Sequence, residues 1–337
     1  MAYYVPGEVA PTDLPLDKLT HIIFSFTEVV DDQMKFRNAT AVDKLKALSA
    51  QKKNHPQLKV MVACGGWGGS GGFSEMAADP TKRENFVVSV MSFIDRYDLD
   101  GLDMDWEYPG LPGNNNPHLP EDKENFTALM QELREAMDAT GKELTLSFAS
   151  AGWERYYDHI ELNEVMKYAD YMNVMTYDQV GGGSPVTGHH TNLKSSDASQ
   201  RSADAIIRFC TEQGVSPGQI VIGAAFYGRS WKGVAPEDNG LDKATNGAWK
   251  SAIIYSEIAE SYLNKDGFKR YWDETALAPF LYNAKDSLFI TYDDPQSVAL
   301  KTKYAKENKL GGIMFWQLTQ DTPSGDLLNA IKKAAEN

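Results

Sequence analysis

Short apolar segments alternate with amphipathic segments along most of the chain. The apolar segments predict strands, and the amphipathic segments between them predict helices. Strands are predicted at 2–5, 20–30, 59–64, 101–105, 144–150, 171–176, 220–225 and 312–316, and helices at 42–53, 81–97, 121–140, 197–213, 295–308 and 326–335.

Alternation of strand and helix predicts a parallel sheet, and eight repeats favour an α/β fold of the closed (β/α)8 TIM barrel type. An open doubly wound sheet is the alternative, and it would need a glycine-rich phosphate-binding turn after an early strand. The segment 65–72 is rich in glycine, but it lacks the Lys-Ser/Thr of a phosphate-binding loop. The closed barrel is therefore the prediction.

One segment breaks the alternation. Residues 230–290 contain many aromatic residues and no clear strand–helix repeat, and a structureless loop of that length is improbable. We predict a small α+β insertion domain there, between the seventh and eighth barrel strands. Residues 1–229 and 291–337 then form the catalytic barrel.

Composition narrows the classes of function. The chain has 337 residues and a formal net charge of -14, which excludes the basic surface typical of nucleic-acid binding. No apolar stretch approaches the roughly 18 residues of a membrane-spanning helix. Cys64 and Cys210 are too few for a disulfide framework and are predicted to be buried. Because His189 and His190 are adjacent and lack a third ligand, we expect no metal and no cofactor.

Three acids occupy alternate positions of one predicted strand. Asp103, Asp105 and Glu107 lie at i, i+2 and i+4, so their side chains share one face, about 6.6 Å apart per step. The residues between them are apolar, and Trp106 among them is predicted to lie in the core. In a barrel the acids point inward, and Glu107 stands closest to the C-terminal rim, where the active sites of barrels lie.

Three carboxylates at this spacing cannot all ionise cheaply, so at least one proton is expected to remain near neutral pH. A proton retained on the outermost member suits a general acid, so Glu107 is assigned that role. A calcium-binding loop also uses alternating acids. Its required glycine is replaced here by Tyr108 and its final acid by Asn114, which argues against that alternative.

These residues resemble a known family. The segment Asp100-Gly101-Leu102-Asp103-Met104-Asp105-Trp106-Glu107 resembles the D-G-x-D-x-D-x-E signature of the family 18 glycoside hydrolases, the chitinase family. The similarity extends along the chain, and the aromatic insertion resembles that of the bacterial-type chitinases with a deep groove. Further matching segments are Tyr3-Tyr4, Gly65-Gly66-Trp67, Met175-Thr176-Tyr177-Asp178, Phe226-Tyr227-Gly228-Arg229, Tyr292-Asp293-Asp294-Pro295 and Met314-Phe315-Trp316.

The resemblance implies a retaining, substrate-assisted hydrolysis of chitin and chitooligosaccharides. Glu107 protonates the glycosidic oxygen while the N-acetyl oxygen of the substrate attacks C1 and forms an oxazolinium ion. Asp105 orients the acetamido group, Tyr177 donates a hydrogen bond to it, and Asp103 tunes Asp105. Water activated by Glu107 then opens the ion.

The resemblance also implies sugar contacts. Trp316 would be the floor beneath the sugar at the cleaved position, and Trp67 would hold the sugar on the leaving side, since an indole suits the apolar face of a pyranose. The remaining residues expected to bind substrate are Asp178, Met175, Arg229, Tyr3 and Tyr108.

The sequence departs from the family pattern at Ala63, where the family has a serine whose hydroxyl would help to hold Asp103. This leaves more of the tuning of Asp103 to Tyr3. Two other functions stay open: an endo-β-N-acetylglucosaminidase acting on N-glycans, and a non-catalytic chitin-binding lectin, which the presence of Glu107 disfavours. Because chitin is insoluble and hydrolases of this family are normally exported, we expect a secreted bacterial protein. We also expect it to be a monomer.

Overall fold

The computed structural model describes residues 1–195 and 201–337. Within these ranges the strands are β1 Ala2–Tyr4, β2 His21–Val30, β3 Gln33–Phe36, β4 Lys59–Gly65, β5 Gly101–Asp105, β6 Thr145–Ala151, β7 Tyr171–Met175, β8 Ile220–Ala225, β9 Tyr227–Lys232, β10 Ile253–Ile254, β11 Phe268–Asp273, β12 Ala278–Asn283, β13 Leu288–Thr291 and β14 Gly312–Trp316. The α-helices are α1 Thr40–Ala50, α2 Phe73–Ala78, α3 Pro80–Tyr97, α4 Asp122–Ala139, α5 Leu162–Val165, α6 Ala203–Glu212, α7 Tyr255–Glu257, α8 Pro295–Glu307 and α9 Asp326–Glu336.

The parallel strands β1, β2, β4, β5, β6, β7, β8 and β14 belong to one closed sheet, so the fold is the predicted (β/α)8 barrel. Strands β5, β8 and β14 have the predicted bounds. The start of the helix predicted at 197–213 lies outside the described residues, and α6 covers Ala203–Glu212. Among the described residues, none of the helices has the length and apolar character that crossing a membrane requires.

The chain divides into two compact units, of which the first comprises Met1–Asn173 and Gln213–Ile220. In this unit β1, β2, β4, β5 and β6 pair in parallel in that order, and β3 pairs antiparallel with the outer end of β2. The register places Ala63 on β4 and Ser147 on β6 at the level of Asp103 on β5. Side chains at one level of neighbouring parallel strands point to the same face, so these three residues share the inner face.

The second unit comprises Val174–Glu212 and Val221–Asn337. Here β14 pairs in parallel with β8, and β10-β9-β13-β12-β11 form an antiparallel sheet. Four aromatic residues of the predicted insertion and one valine form a core on that sheet, because alternate positions on its strands face one side. The core residues are Trp231, Val234, Phe280, Tyr282 and Phe289.

The structure adds elements that the sequence pattern did not predict. The hairpin strand β3 follows β2 through a tight turn with Asp31 and Asp32 at positive φ, a conformation that short polar residues tolerate. The helix α2 directly follows the glycine-rich segment that was read only as a turn. Cys64 and Cys210 are buried and not disulfide-bonded, and Trp106 is 2% exposed, as predicted.

Candidate active site

The three acids form a ladder whose exposure rises toward the end of β5. Asp103 is fully buried, Asp105 is 4% exposed and Glu107 is 8% exposed. The apolar residues between them pack into the core on the opposite face, where Trp106 stacks on Phe73 at 5.3 Å. The predicted order of the acids, with Glu107 outermost, therefore agrees with the burial of their side chains.

Asp103 is held by three hydrogen-bond donors from three other strands. Its Oδ2 accepts from the Tyr3 hydroxyl at 2.9 Å, and its Oδ1 accepts from Ser147 Oγ at 2.6 Å and Asn173 Nδ2 at 2.9 Å. Burial raises the pKa of Asp103, while the bonds from Ser147, Tyr3 and Asn173 oppose that rise. The sequence analysis expected Tyr3 in this position and missed Ser147 and Asn173.

Asp105 lies in a different environment. Its Oδ1 is buried and has no hydrogen-bond partner among the described residues. Burial raises the pKa of Asp105 well above its ordinary range, the charges of Glu107 and Asp103 raise it further, and Arg37 lowers it. These effects all favour a retained proton on Asp105 over a third negative charge in the ladder, with only Arg37 opposing them.

Arg37 was not anticipated from the sequence. It follows β3, donates a hydrogen bond to the carbonyl of Gly65, and lies over the ring of Phe26 at 5.0 Å. Its Nε also lies 3.7 Å from Glu28. A cation in this position offsets part of the negative charge of the ladder, because opposite charges nearby favour ionised carboxyl groups.

The backbone around Glu107 is anchored by side chains from two loops. The Glu107 N–H donates to Ser70 Oγ at 2.9 Å, and Ser70 Oγ lies 3.1 Å from the carbonyl oxygen of Asp105. Asn116 Nδ2 donates to the carbonyl of Glu107 at 3.3 Å. These contacts fix the backbone of Glu107, the outermost acid. The sequence analysis did not anticipate a role for Ser70 or Asn116.

The loop after β4 presents Trp67. Gly65 has φ +113°, and a Cβ there would lie 2.0 Å from the carbonyl oxygen of Asp105, so only glycine allows the close approach of β4 to β5. The Trp67 side chain is 53% exposed, which is unusual for an indole and suits a binding platform. Asn116 Nδ2 also contacts the carbonyl of Trp67 at 3.4 Å.

Tyr108 follows Glu107 and belongs to an aromatic cluster. Its ring packs edge-on against Trp153 at 5.5 Å and Tyr156 at 5.9 Å. The side chain is half-buried, so its packing fixes the ring while part of its surface stays accessible. The first unit thus contains the acid ladder together with Tyr3, Trp67 and Tyr108.

The other predicted site residues belong to the second unit. Met175 ends β7, and Tyr177 and Asp178 follow it directly. The Tyr177 hydroxyl lies 4.0 Å from the sulfur of Met314, and its ring packs edge-on against Tyr227 at 6.1 Å. These contacts fix the ring of Tyr177 from β14 and β9.

Asp178 is bound by Arg229 and approached by His190. Arg229 makes a bidentate contact at 2.6 and 2.7 Å, and His190 Nδ1 lies 3.7 Å from Asp178 Oδ1. Burial alone would raise the pKa of Asp178, but the nearby His190 and the hydrogen bonds and charge of Arg229 hold it well below its ordinary value. Asp178 is therefore a carboxylate at neutral pH.

Trp316 ends β14 and is half-buried. The preceding Phe315 stacks on Phe226 at 4.2 Å, which anchors this end of the strand. Gln317 follows Trp316, accepts from the Thr319 N–H at 3.2 Å and caps the turn that follows. The role of Trp316 as a sugar platform stays a prediction, and the structure shows that the residue ends a barrel strand.

The adjacent histidines have protein partners. His189 Nε2 lies 3.2 Å from Asp273 Oδ2, and His190 Nε2 lies 3.2 Å from the carbonyl oxygen of Tyr227. They therefore brace the segment that contains them, as the sequence analysis expected of loop residues. No group of three or more His, Cys, Asp or Glu suited to a metal ion is found among the residues that the structure describes.

Comparisons with known proteins agree with this geometry. Residues 1–321 match the family model described as "Glycosyl hydrolases family 18". The chain is 37% identical to Chitinase A1 of Niallia circulans over 81% of this chain and 42% of that protein, and 32% identical to an endochitinase of Manduca sexta over 96% and 63%. It therefore spans less than two thirds of the length of these relatives.

A solved structure covers nearly the whole of both chains. It is described as a family 18 N-acetylglucosaminidase from Paenibacillus barengoltzii, with 36% identity, a TM-score of 0.90, and coverage of 99% of this chain and 98% of that one.

Proposed function

The chain belongs to family 18 of the glycosyl hydrolases, and on that premise we propose that it is a chitinase that hydrolyses the β-1,4 bonds between N-acetylglucosamine units. The observation that supports this most directly is the complete ladder of Asp103, Asp105 and Glu107, buried in that order and with the pKa of Asp105 raised. The names of the relatives, Chitinase A1 and endochitinase, favour chitin and chitooligosaccharides as substrates.

The proposed mechanism is substrate-assisted and retains the anomeric configuration. Glu107 gives its proton to the glycosidic oxygen, and the acetamido oxygen of the substrate attacks C1 to form an oxazolinium ion. The protonated Asp105 turns to the acetamido group, Tyr177 donates a hydrogen bond to it, and Asp103 remains the fixed carboxylate beneath. Glu107 then removes a proton from the water that opens the ion.

The proposed sugar contacts follow from exposure and ring geometry. The half-buried Trp316 would stack on the sugar at the cleaved position, and the exposed Trp67 on the leaving side. The carboxylate of Asp178, held by Arg229, would accept hydrogen bonds from sugar hydroxyls. Met175, Tyr108 and Tyr3 complete the proposed set.

The full-length similarity to an N-acetylglucosaminidase favours a second function on the same chemistry. Such an enzyme would release single N-acetylglucosamine units rather than oligosaccharides. Two further alternatives would share the barrel fold. An enzyme acting on N-glycans would yield a trimmed glycoprotein, whereas a lectin would yield no product.

One experiment separates these functions. The purified protein is incubated with the hexamer of N-acetylglucosamine, with chitin, and with a high-mannose glycoprotein, and the products are identified by mass spectrometry. A chitinase yields dimers and trimers from the hexamer, whereas the exo-acting alternative yields the monomer first. Release of glycan alone would identify the N-glycan enzyme, and binding without products the lectin.

The variant Glu107→Gln tests the acid directly. We expect hydrolysis to fall by roughly 10²–10⁴-fold while the hexamer still binds, because the amide keeps the shape of the acid but has no proton to transfer. The exposed Glu84 on α3 provides a matched control, and Glu84→Gln is expected to retain full activity. Unchanged hydrolysis by Glu107→Gln would contradict the proposed mechanism.

The organisation of the protein is part of the proposal. We propose that residues 230–290 form an α+β insertion domain on a barrel made of 1–229 and 291–337, and that the protein is exported and monomeric. The antiparallel sheet that includes β11 and β12 supports the insertion. The net charge of -14 supports a neutral polymer over a nucleic acid as the partner.

A further inference from the structure

Asp103 has two neighbours at its own level in the sheet, one on each side. The register pairs it with Ala63 on β4 and with Ser147 on β6. Ala63 is the position at which the family pattern has a hydroxyl for this carboxylate, and alanine cannot supply one. On the other side, Ser147 Oγ lies 2.6 Å from Asp103 Oδ1. The hydroxyl is therefore present, but on the opposite neighbouring strand.

The contact is buried and has additional support. Ser147, Asp103 and Asn173 are each fully buried, so no solvent competes for the carboxylate. Asn173 Nδ2 lies 2.9 Å from Asp103 Oδ1 and 3.4 Å from Ser147 Oγ. Ser147 and Asn173 donate to Oδ1 and Tyr3 donates to Oδ2, so both oxygens of the Asp103 carboxylate accept hydrogen bonds. A buried carboxylate with several donors is stabilised in its charged form.

The neighbouring acid lacks such donors. Asp105 Oδ1 is buried without a hydrogen-bond partner among the described residues. A neutral carboxyl group tolerates this environment better than a carboxylate does. The difference in donors thus places the charge on Asp103 and the proton on Asp105.

We propose that Ser147 is a positioning residue that takes over the role of the hydroxyl absent at Ala63, holding Asp103 as the fixed carboxylate so that the shared proton stays on Asp105. The inference rests on the proposed function for its consequences in catalysis. Its structural part, the charge on Asp103, does not depend on any substrate. The other titratable groups that act on this pair are Glu107 and Arg37, which act on Asp105, and Tyr3, which donates to Asp103.

The first test compares three variants by kinetics on the hexamer of N-acetylglucosamine. We expect Ser147→Ala to lower kcat about tenfold with KM little changed, because a charge-assisted hydrogen bond acting in the chemical step is lost. Ser147→Ala/Ala63→Ser is expected to recover most of kcat, since it returns a hydroxyl to the other side of Asp103. The control Ser150→Ala, which removes a buried hydroxyl of β6 that contacts Tyr157, should leave kcat unchanged.

The pH profile distinguishes positioning from a general packing effect. Losing a donor to the charged form raises the pKa of Asp103. Because the proposed mechanism needs Asp103 as a carboxylate, the acid limb of the kcat profile should move to higher pH by roughly half a unit. The double variant with Ala63→Ser should return the limb toward the wild-type position. A packing effect would lower kcat at every pH equally, and that result would overturn the proposal.

The second test needs no substrate. Because the pKa of Asp103 is raised on folding, its contribution to stability falls as pH rises. Removing Ser147 raises this pKa further, so we expect the loss in Tm of Ser147→Ala to be a few degrees larger at about pH 8 than at about pH 4. If Ser147→Ala does not fold, Ser147→Cys, which is closer in size and only a weak donor, should show the same pH trend.

The outcomes separate the two proposals. A wild-type protein that makes no sugar products would contradict the proposed function, while the pH-dependent loss in Tm would still support the role of Ser147. An active wild type with Ser147→Ala matching it in kcat, pH profile and Tm would overturn the role of Ser147 alone. Failure of Ala63→Ser to recover kcat or the pH profile would also overturn it.

Discussion

Arg229 binds both carboxylate oxygens of Asp178, with its Nε 2.6 Å from Oδ1 and its Nη2 2.7 Å from Oδ2. The guanidinium also lies over the ring of Tyr227 at 5.1 Å and donates to the carbonyl of Ser251 at 2.6 Å. Asp178 itself has φ +54°, so its backbone is held in the left-handed region. The planar fork of Arg229 therefore fixes the direction of a carboxylate that follows Tyr177.

Replacing Arg229 by lysine tests this arrangement. Lysine keeps the charge but cannot make the two parallel bonds, so we expect Arg229→Lys to raise KM for the hexamer by roughly tenfold. Arg208→Lys is the control, since Arg208 pairs with Asp204 at 3.1 Å on the exposed side of α6 and should tolerate the change. An unchanged KM in Arg229→Lys would argue against a role for this pair in binding.

The same variant makes a prediction about stability. The folded-state pKa of Asp178 is depressed, so the ion pair stabilises the protein above the unfolded pKa of about 3.9 and loses this effect as pH falls. The Tm difference between wild type and Arg229→Lys should therefore shrink as pH decreases below about 4. Thermal unfolding followed by circular dichroism measures it.

The pH dependence of activity follows from the retained proton. Burial, and then the charges of Glu107 and Asp103, raise the pKa of Asp105 well above its ordinary value. The rate should fall as pH rises through this raised pKa, which produces a bell-shaped, acid-leaning profile of kcat/KM. Asp105→Asn, which cannot titrate and removes a negative charge beside Glu107, should lower activity by on the order of 10²-fold. Its basic limb should then report Glu107 alone and move to lower pH. A wild-type rate still rising at about pH 9 would contradict a mechanism that needs protons on Glu107 and Asp105.

Trp67 should contribute to binding and not to folding. Its side chain is 53% exposed, so Trp67→Ala is expected to leave Tm within about a degree of wild type. Stacking on a sugar predicts a KM for the hexamer raised by roughly 5–20-fold, with a smaller effect on shorter oligosaccharides. Trp67→Phe keeps a ring and should recover part of the affinity. Equal KM values for the alanine variant and wild type would exclude a leaving-side platform.

A buried ion pair in the second unit should determine much of its stability. Lys301 Nζ lies 2.6 Å from Asp293 Oδ2 and 2.6 Å from Thr191 Oγ1, and both charged side chains are fully buried. Lys301→Met would leave the charge of Asp293 unpaired and should lower the free energy of unfolding by about 3–5 kcal/mol. The exposed pair of Lys167 and Glu164 is the matched comparison, where Lys167→Met should have little effect on the free energy of unfolding.

Denaturant unfolding measures both variants of this comparison. Adding Asp293→Asn to Lys301→Met should recover part of the loss, because the unpaired charge is then removed. A loss for Lys301→Met as small as that for Lys167→Met would show that the buried pair contributes no more than a surface pair.

Much of the fold could be predicted because its signals are local. Strands β5, β8 and β14 begin and end where the apolar pattern places them, and Trp106 is buried as its position between two inward acids predicts. The short elements β3 and α2 were missed. A hairpin return and a single helical turn or two after a glycine-rich segment contain too few residues to show a period.

The order of the acid ladder was determined by the sequence itself. Asp103, Asp105 and Glu107 lie two positions apart, and in an extended chain that spacing alone puts them on one face. The identity of the outermost acid follows from the direction of the strand. None of this depends on the rest of the protein once the segment is a strand of a barrel.

What holds the ladder was decided only by the tertiary structure. Ser147 and Asn173 are 44 and 70 residues from Asp103, yet they contact the same carboxylate oxygen. Their meeting depends on the register between neighbouring strands, which is set by packing over the whole sheet and not by any local pattern. The sequence showed that Ala63 lacks a hydroxyl, but only the folded sheet could place another one on the opposite side of Asp103.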